Sequence, residues 1–327
     1  MHAHAPAAVA YAIAGAVPDS KVARCYEDIL GEVVGSRYDI PGSLGLGEII
    51  KEQFAKGYNA VMMDNHGATV GDENLDKAFM RYETLESLCS ALINARILGG
   101  YKLPKERIEL IKEDAVIDSK IDDKKYDDIK QNICDFSTRS YQNKLFISTL
   151  GTIAERIDGG FIVNADDADR KLITKDDILV YKDGKLSQNR EVKYLSYIKE
   201  IFDTHPYVND VFVSMPAAAM WFITANKLMN SRLAPECFIL LRDIGKISYE
   251  VMKNPSLLAK ELSKEVPAIM VDNEAVFTIG KNMIKAFDRM EVLDYTARSI
   301  ISASAIADIK PINEEQVDDI KRTFNGW

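Results

Sequence analysis

Two stretches of the chain share one hydrophobic pattern, in which a short apolar strand is followed by a polar turn and a helix. The strands are predicted at Ala60–Met63 and Ala268–Val271. After the first turn, apolar residues recur at the spacing of a helix, at Leu75, Phe79, Tyr82, Leu85, Leu88 and Leu92. Turns between a strand and a helix are where α/β folds place their chemistry, so both turns are expected to carry functional residues.

The two stretches are copies of one sequence unit. Residues 62–85 and 270–293 align at a constant offset of 208, and ten of the 24 positions are identical. The identical pairs include Asp64/Asp272, Asn65/Asn273, Lys77/Lys285, Ala78/Ala286, Phe79/Phe287 and Glu83/Glu291. The chain of 327 residues is therefore expected to contain two domains of one fold.

The two copies differ in their histidine content. The chain has four histidines, His2, His4, His66 and His205. His2 and His4 are two residues apart, so in a strand they share a face and can bind one metal ion. The alternative interpretation of this pair is a flexible terminus or a tag remnant. His205 lies in a predicted turn and is expected to be a surface residue rather than a ligand.

The second copy has other residues at the matching positions. Glu274 replaces His66 at the offset of 208. At an offset of 211, the positions that match His2 and His4 are Val213 and Met215. A slip by one residue would give Phe212 and Ser214 instead. In either alignment only the first copy keeps the imidazoles.

These motifs resemble those of the class II aldolase/adducin family. In that family a strand ends in His-x-His, a later strand turns through Asn-His-Gly, and a helix with a Lys-Ala-Phe pattern follows. The corresponding motifs here are His2-Ala3-His4, Asn65-His66-Gly67 and Lys77-Ala78-Phe79. A tyrosine and a Gly-Ser pair lie between them in the family, matched here by Tyr38, Gly42 and Ser43. Residues 1–100 thus resemble the C-terminal half of one family domain.

Residues 122–310 resemble a second, complete domain of the family. Its expected start is a helix over residues 126–141, followed by Thr149-Leu-Gly-Thr152 in place of the family's Gly-Asn-x-Ser loop. Residues 101–121 are expected to form a linker and residues 311–327 a C-terminal tail. The implied fold is α/β, with three α/β/α layers and a mainly antiparallel central sheet, in two copies of which the first is incomplete.

The resemblance implies a metal-dependent sugar-phosphate aldolase, which cleaves its substrate reversibly as an aldehyde-lyase. Family members hold a divalent ion, most commonly zinc, and the implied ligands here are His2, His4 and His66. The ion acts as a Lewis acid on carbonyl and hydroxyl oxygens and stabilises an enediolate. The implied substrate-binding residues are Tyr38, Asn65 and Gly67. A sugar phosphate is the implied small-molecule partner, and a homo-oligomer is the implied assembly.

The chain departs from the family pattern in two ways. The half domain that carries the family's acid–base glutamate and phosphate loop has no counterpart before His2. The chain is therefore expected to be a fragment, to start at an internal methionine or to be half of a split gene, and to be inactive alone. In the second domain the loop asparagine is Thr152 or a near neighbour, and the carboxylate falls near Tyr194. The second domain is therefore expected to be a pseudo-enzyme copy.

Composition limits the partners and the compartment. A net charge of −9 without a Lys/Arg-rich run argues against nucleic acid as a partner. No segment reaches the ~18 apolar residues of a membrane span. The four cysteines form no CxxC pair, which argues against a disulfide framework and predicts a reducing, cytoplasmic location.

Two classes of function remain open. The first is the aldolase, or a related sugar-phosphate epimerase or dehydratase. The second is a non-catalytic scaffold or interaction protein like the adducin branch of the family. Three of the four histidines fall at ligand positions, which favours the enzyme.

Overall fold

The structure, a computed structural model, describes residues 1–324 and contains two compact units. The first unit consists of residues 1–107 and 224–226, and the second of residues 108–223 and those from 227 onward. A four-stranded sheet lies in the first unit and a nine-stranded sheet in the second. Most neighbouring strands in both sheets are antiparallel. Some strands that follow each other in the chain are joined by turns, and others have helices between them. The predicted α/β class with mainly antiparallel sheets is confirmed.

Residues 1–107 of the first unit form four strands and four α-helices. In chain order they are β1 (His2–Ala3), α1 (Pro6–Ile13), α2 (Arg24–Leu30), β2 (Val33–Ser36), α3 (Leu44–Ala55), β3 (Ala60–Met63), β4 (Gly67–Val70) and α4 (Leu75–Ile97). The strand order in the sheet is β1-β4-β3-β2, so β1 and β2 are its edges.

The second unit carries the larger sheet and most of the helices. Its elements up to the central strand are β5 (Val116–Ile117), α5 (Asp127–Gln142), β6 (Thr152–Ile157), β7 (Gly160–Asn164), β8 (Ile178–Lys182), β9 (Lys185–Leu186), α6 (Leu195–Thr204) and β10 (Asp210–Ser214). The remainder are α7 (Ala219–Ala225), α8 (Pro235–Leu241), β11 (Ile244–Ile247), α9 (Pro255–Glu261), β12 (Ala268–Val271), β13 (Val276–Gly280), α10 (Met283–Ser304) and α11 (Glu314–Thr323). The last residues of α7 belong to the first unit.

The repeated sequence forms the same structure in both units. The hairpins β3–β4 and β12–β13 have matching antiparallel registers, with Ala60 opposite Val70 and Ala268 opposite Thr278. The order β1-β4-β3-β2 recurs as β10-β13-β12-β11. In the second unit β10 also pairs with β6, whereas β1 has no second neighbour among residues 1–324.

The long helix of each repeat begins at an equivalent asparagine cap. The Asn74 side chain accepts a hydrogen bond from the Lys77 amide at 2.9 Å, and Asn282 does the same for Lys285 at 3.0 Å. Such a bond satisfies one of the amides that the first turn of a helix leaves unpaired. The cap therefore fixes the start of α4 and α10 just after the second strand of each hairpin.

The segments expected to form the linker and the C-terminal tail contain regular structure. β5 lies inside the expected linker, residues 101–121, and pairs in parallel with β9. α11 lies in the expected tail, where Asn313 and Gln316 form a capping box and Val317 is fully buried. A strand of two residues is too short to show hydrophobic periodicity, whereas α11 is an amphipathic helix with Val317 on its buried side.

All four cysteines are buried free thiols. Among the helices of residues 1–324, none combines the length and the apolar run that crossing a bilayer requires.

Candidate metal centre

Three histidine side chains converge at one end of the first unit's sheet. His2 lies on β1, His4 follows that strand, and His66 lies in the turn between β3 and β4. Their ring centroids are 4.7 to 5.1 Å apart. Each ring offers one nitrogen, and these nitrogens all lie within 4.8 Å of one another. The structure thus brings the His-x-His pair and the distant histidine together, and their binding of one metal ion stays a prediction.

The hydrogen bonds of His2 fix which of its nitrogens is free. Its Nδ1 lies 2.9 Å from the Ala68 carbonyl oxygen, which can only accept, so Nδ1 carries the proton. Nε2 of His2 then presents a lone pair, and it lies 3.1 Å from Nε2 of His4. Two nitrogens at this separation can each lie about 2.0–2.1 Å from one ion. A second hydrogen bond that orients a ligand ring is usual in metal sites.

The turn that carries His66 is shaped by its neighbour. Asn65 adopts a left-handed conformation with φ of 55°, and Asn273 does so at the equivalent turn with φ of 59°. Asparagine tolerates this region better than most residues. The turn leaves Nδ1 of His66 buried without a hydrogen-bond partner. Burial, then the proximity of His2 and His4, lowers the pKa of His66, which favours the neutral ring that binds metal.

Gly67 provides the space in which His4 lies. Its φ is +153°, a conformation that side chains rarely adopt. A Cβ there would lie 2.9 Å from the Ala3 carbonyl oxygen and 3.0 Å from Cδ2 of His4. A side chain at this position would thus crowd the histidine cluster. The prediction that Gly67 binds substrate stays a prediction.

Gly67→Ala is expected to separate the histidines and weaken the binding of divalent metal. The strained backbone alone should cost about 1–3 kcal/mol of stability. Isothermal titration with Zn²⁺ would measure the loss of affinity. Gly57→Ala is the matched control, because Gly57 also has positive φ, +93°, but a Cβ there meets nothing within 4 Å. Equal metal affinity in the two variants would contradict this role of Gly67.

The other two predicted substrate residues lie in different settings. Asn65 is adjacent to His66, and its backbone N–H donates a hydrogen bond to the Ala12 carbonyl oxygen, with an N–O distance of 3.0 Å. Tyr38 follows β2 and is 58 % exposed. Within residues 1–324, no described hydrogen bond or ring contact joins Tyr38 to the histidines. Substrate binding by these residues stays a prediction.

The strand register decides between the two alignments of the second copy. His2 lies opposite Thr69, and Val213 lies opposite Phe277, the residue 208 positions after Thr69. The offset of 211 is therefore correct, and the slipped alignment is wrong. The second unit has Val213 and Met215 where the first has His2 and His4.

In the second unit, the position equivalent to His66 carries a side chain that forms a hydrogen bond with another side chain. Glu274, which replaces His66, is fully buried, and Oε1 accepts a hydrogen bond from the Tyr194 hydroxyl at 2.5 Å. Tyr194 is itself only 3 % exposed. The second unit therefore lacks the nitrogen donor set of the first. Its side chains at the three positions are Val213, Met215 and the Glu274 carboxylate, which is hydrogen-bonded to Tyr194.

His205 differs from its prediction as a surface residue. It is 8 % exposed, Nε2 lies 2.8 Å from the Ala259 carbonyl oxygen, and Nδ1 lies 3.1 Å from the Tyr207 hydroxyl. Both nitrogens are thus used in packing, because helix α9 covers the turn. The prediction that His205 is not a ligand agrees with these bonds.

Two residues of helix α4 contact the segment that carries His2 and His4. Tyr82 and Glu86, both on α4, form hydrogen bonds with the backbone of residues 3–8. Tyr82 was assigned to the apolar stripe of its helix. The only sign in the sequence is that Met290 stands at the equivalent place in the second copy.

The comparisons with known proteins agree with this architecture. A family profile described as "Class II Aldolase and Adducin N-terminal domain" matches residues 1–93 and 131–301. No curated protein sequence matches the chain.

Solved structures with the same fold include two aldolases. An L-fuculose 1-phosphate aldolase matches with a TM-score of 0.52 and 13 % identity, over 61 % of this chain and 97 % of that one. The L-fuculose 1-phosphate aldolase from Glaciozyma antarctica PI12 matches with 0.53 and 16 %, over 61 % and 82 %. An aldolase II superfamily protein from Pseudomonas syringae matches with 0.53 and 12 %, over 61 % and 84 %. At these identities the likeness is one of fold.

Proposed function

Because the chain belongs to the class II aldolase and adducin family, we propose that it serves metal-dependent aldol cleavage of a sugar phosphate. Residues 1–100 form the metal-binding copy in this proposal, and residues 122–310 form a copy without a metal site. The observation that carries the proposal is the convergence of His2, His4 and His66 at one point of the first unit. The likeness to L-fuculose 1-phosphate aldolases supports the substrate class.

The donor set suits a divalent ion that keeps open coordination positions. Imidazole nitrogens suit zinc, and three protein ligands leave room for substrate oxygens, as in catalytic rather than structural sites. A bound ion would supply Lewis-acid polarisation of the substrate's carbonyl oxygen. The chain's own contribution is to hold three imidazoles together, with His2 oriented by the Ala68 carbonyl and His4 given room by Gly67.

The proposal assigns the acid–base step to a group outside this cluster. Among residues 1–324, the group of potential ligands contains three histidines and no aspartate or glutamate. The strand that carries His2 is an edge of its sheet, whereas its equivalent β10 is paired on both sides. In the second unit the strand on that further side is β6, from the half that the first unit lacks within residues 1–107. We therefore expect this chain alone to bind metal but to turn over little substrate.

The second unit has a structural role in this proposal. At the positions equivalent to the three histidines it has Val213, Met215 and Glu274. Glu274 accepts a hydrogen bond from the Tyr194 hydroxyl. Burial of these side chains in the sheet leaves a packed interior in place of a site. A homo-oligomer is part of the same proposal.

A metal titration and an aldol assay on the full chain test the proposal together. Purified chain should bind one divalent ion, counted by elemental analysis after dialysis against Zn²⁺. With L-fuculose 1-phosphate it should release little or no aldehyde, which a coupled assay would detect. Rapid cleavage would contradict the assignment of the acid–base group, although it would support the aldolase.

The alternatives give different results in the same experiments. An adducin-like scaffold should bind no ion and be indifferent to changes at the histidines. A related epimerase or dehydratase should bind the ion, and would isomerise or dehydrate a sugar phosphate once its acid–base group is supplied. Absence of bound metal would therefore reject the enzyme in favour of the scaffold.

A further inference from the structure

Two side chains of helix α4 form hydrogen bonds with the backbone of the segment that carries His2 and His4 and continues into α1. The Tyr82 hydroxyl donates a hydrogen bond to the Ala3 carbonyl oxygen at 2.6 Å. One turn further along α4, the two carboxylate oxygens of Glu86 accept hydrogen bonds from the amides of Ala7 and Ala8, both at 2.9 Å. These amides belong to the first turn of α1, which has no side-chain cap of its own. The two contacts thus join residues some 80 positions apart.

The Glu86 contact is common to both units. In the second unit Asp294, at the offset of 208, accepts hydrogen bonds from the amides of Ala218 and Ala219 at 2.7 and 3.1 Å. These alanines are the equivalents of Ala7 and Ala8 at the offset of 211. A carboxylate near the start of a helix is stabilising whether or not a metal lies nearby. This contact therefore belongs to the fold rather than to the metal centre.

The Tyr82 contact is present only in the unit that has the histidines. The residue equivalent to Tyr82 is Met290, which is fully buried and has no hydroxyl. Tyr82 is 4 % exposed, so its hydroxyl is held inside the protein. Burial raises the pKa of Tyr82, which keeps the hydroxyl protonated and able to donate.

We propose that Tyr82 is a positioning residue for the metal centre and acts through the Ala3 carbonyl. Ala3 is the residue between His2 and His4, so fixing its peptide group fixes the direction in which both rings leave the strand. The same carbonyl lies where a Cβ on residue 67 would collide, which shows how closely the backbone of β1 approaches the His66 turn. This inference rests on the proposed function, because it assumes that the three histidines bind an ion.

Removing the hydroxyl leaves the ligands in place but loosens their arrangement. In Tyr82→Phe the Ala3 carbonyl loses a buried hydrogen bond, and the strand can rotate toward other arrangements of His2 and His4. Loss of a group that orients ligands typically lowers metal affinity about 10- to 100-fold. The three nitrogens would still be available, so binding should be weakened rather than abolished.

Titration of the full chain with Co²⁺ tests the inference, because the visible absorption of the ion reports the geometry of its ligands. Tyr82→Phe should bind Co²⁺ about 10- to 100-fold more weakly than wild type, with a changed absorption spectrum. Tyr82→Met, which introduces the residue found at the equivalent position 290, should show the same loss of Co²⁺ affinity and a changed spectrum. The matched control is Tyr26→Phe, which removes a buried hydroxyl bonded to Ser87 of the same helix at 3.1 Å.

The outcomes separate positioning from general stability. Tyr26→Phe should lower the melting temperature but leave the affinity for Co²⁺ and its spectrum unchanged. If both Tyr82 variants melt earlier while their Co²⁺ affinity and spectrum stay at wild-type values, the positioning role is refuted and the hydroxyl is structural only. If wild type itself binds no Co²⁺, the proposed function fails, and this inference fails with it.

Discussion

His66→Ala should remove high-affinity binding of divalent metal from the full chain. The three imidazoles are the complete group of potential ligands at this point among residues 1–324. Binding of zinc by four ligands contributes about 10–16 kcal/mol in small zinc sites, so one ligand accounts for roughly 3–4 kcal/mol. The expected loss in affinity is about 10²- to 10³-fold. Isothermal titration with Zn²⁺ at pH 7 would measure it.

The same change should remove most of the stabilisation of the fold by metal. At a free ion concentration of 1,000 times Kd, binding stabilises a native protein by about 4 kcal/mol. Wild type should therefore melt at a higher temperature with Zn²⁺ than with a chelator. At the same ion concentration His66→Ala should keep only about 0.4–1.4 kcal/mol of this stabilisation, so its melting temperature should change much less. Metal-dependent melting of wild-type size in His66→Ala would locate the ion elsewhere.

The remaining histidine offers a control for this experiment. His205 is buried in the second unit and bonded to Ala259 and Tyr207. His205→Asn should lower the free energy of unfolding because these bonds are lost, yet it should bind the same amount of Zn²⁺ as wild type. Loss of Zn²⁺ in His205→Asn would imply that metal binding depends on general stability.

The local structure of the repeats was predictable from the sequence. β3 and β12 have the predicted bounds, because four apolar residues before a polar turn form a buried strand in both copies. α4 begins at Leu75, where the helical spacing begins. Identity at the offset of 208 made the two predictions support each other. Local pattern was sufficient here, since each element is defined by its own residues.

The partner of each strand was less predictable than the strand itself. Sequence alone left His2 equivalent to either Val213 or Phe212, because a slip by one residue is not visible in a short strand. The pairing of β10 with β13 decides for Val213. Register is set by neighbouring strands and by which face is buried, and these are properties of the folded sheet.

The supporting residues of the site were not predictable for a similar reason. Tyr82 touches Ala3 across 79 positions of sequence, and in the sequence it is one more large residue on a helix face. Gly67 belonged to a recognisable motif, but its role as space for His4 depends on how close β1 lies. Motifs identified the three histidines as candidate ligands, whereas the contacts that orient them appear only in three dimensions.

Asp210→Asn should stabilise the protein at alkaline pH, because it removes a buried charge. Asp210 is 2 % exposed and lies directly opposite Glu155 in the β10–β6 pair. Its Oδ1 is buried without a hydrogen-bond partner. Burial, and secondly the charge of Glu155, raise the pKa of Asp210 from 3.8 to about 8. Burial also raises the pKa of Glu155, although the Asn132 amide opposes the shift.

The sign of the pH dependence follows from this raised pKa. Between about pH 4 and pH 8 the folded state holds a proton on Asp210 that the unfolded state has released, so the free energy of unfolding falls as pH rises. Above pH 8 both states are ionised and the loss is complete. Asparagine carries no charge, so the free energy of unfolding of the variant should rise relative to that of wild type between pH 4 and pH 8. At pH 8 the difference should be on the order of a few kcal/mol.

Urea unfolding of wild type and Asp210→Asn at pH 4.5, 6 and 8 would measure this gain. The advantage of the variant should be smallest at the acid end and should rise steadily toward pH 8. Asp318→Asn is the control, because Asp318 is exposed on α11 and its neutralisation should leave stability nearly unchanged at every pH. A difference between Asp210→Asn and wild type that is the same at all three pH values would show that Asp210 is already ionised throughout. The carboxyl pair would then be held by solvent or a cation rather than by a proton, and its burial would not control the stability of the second unit's sheet.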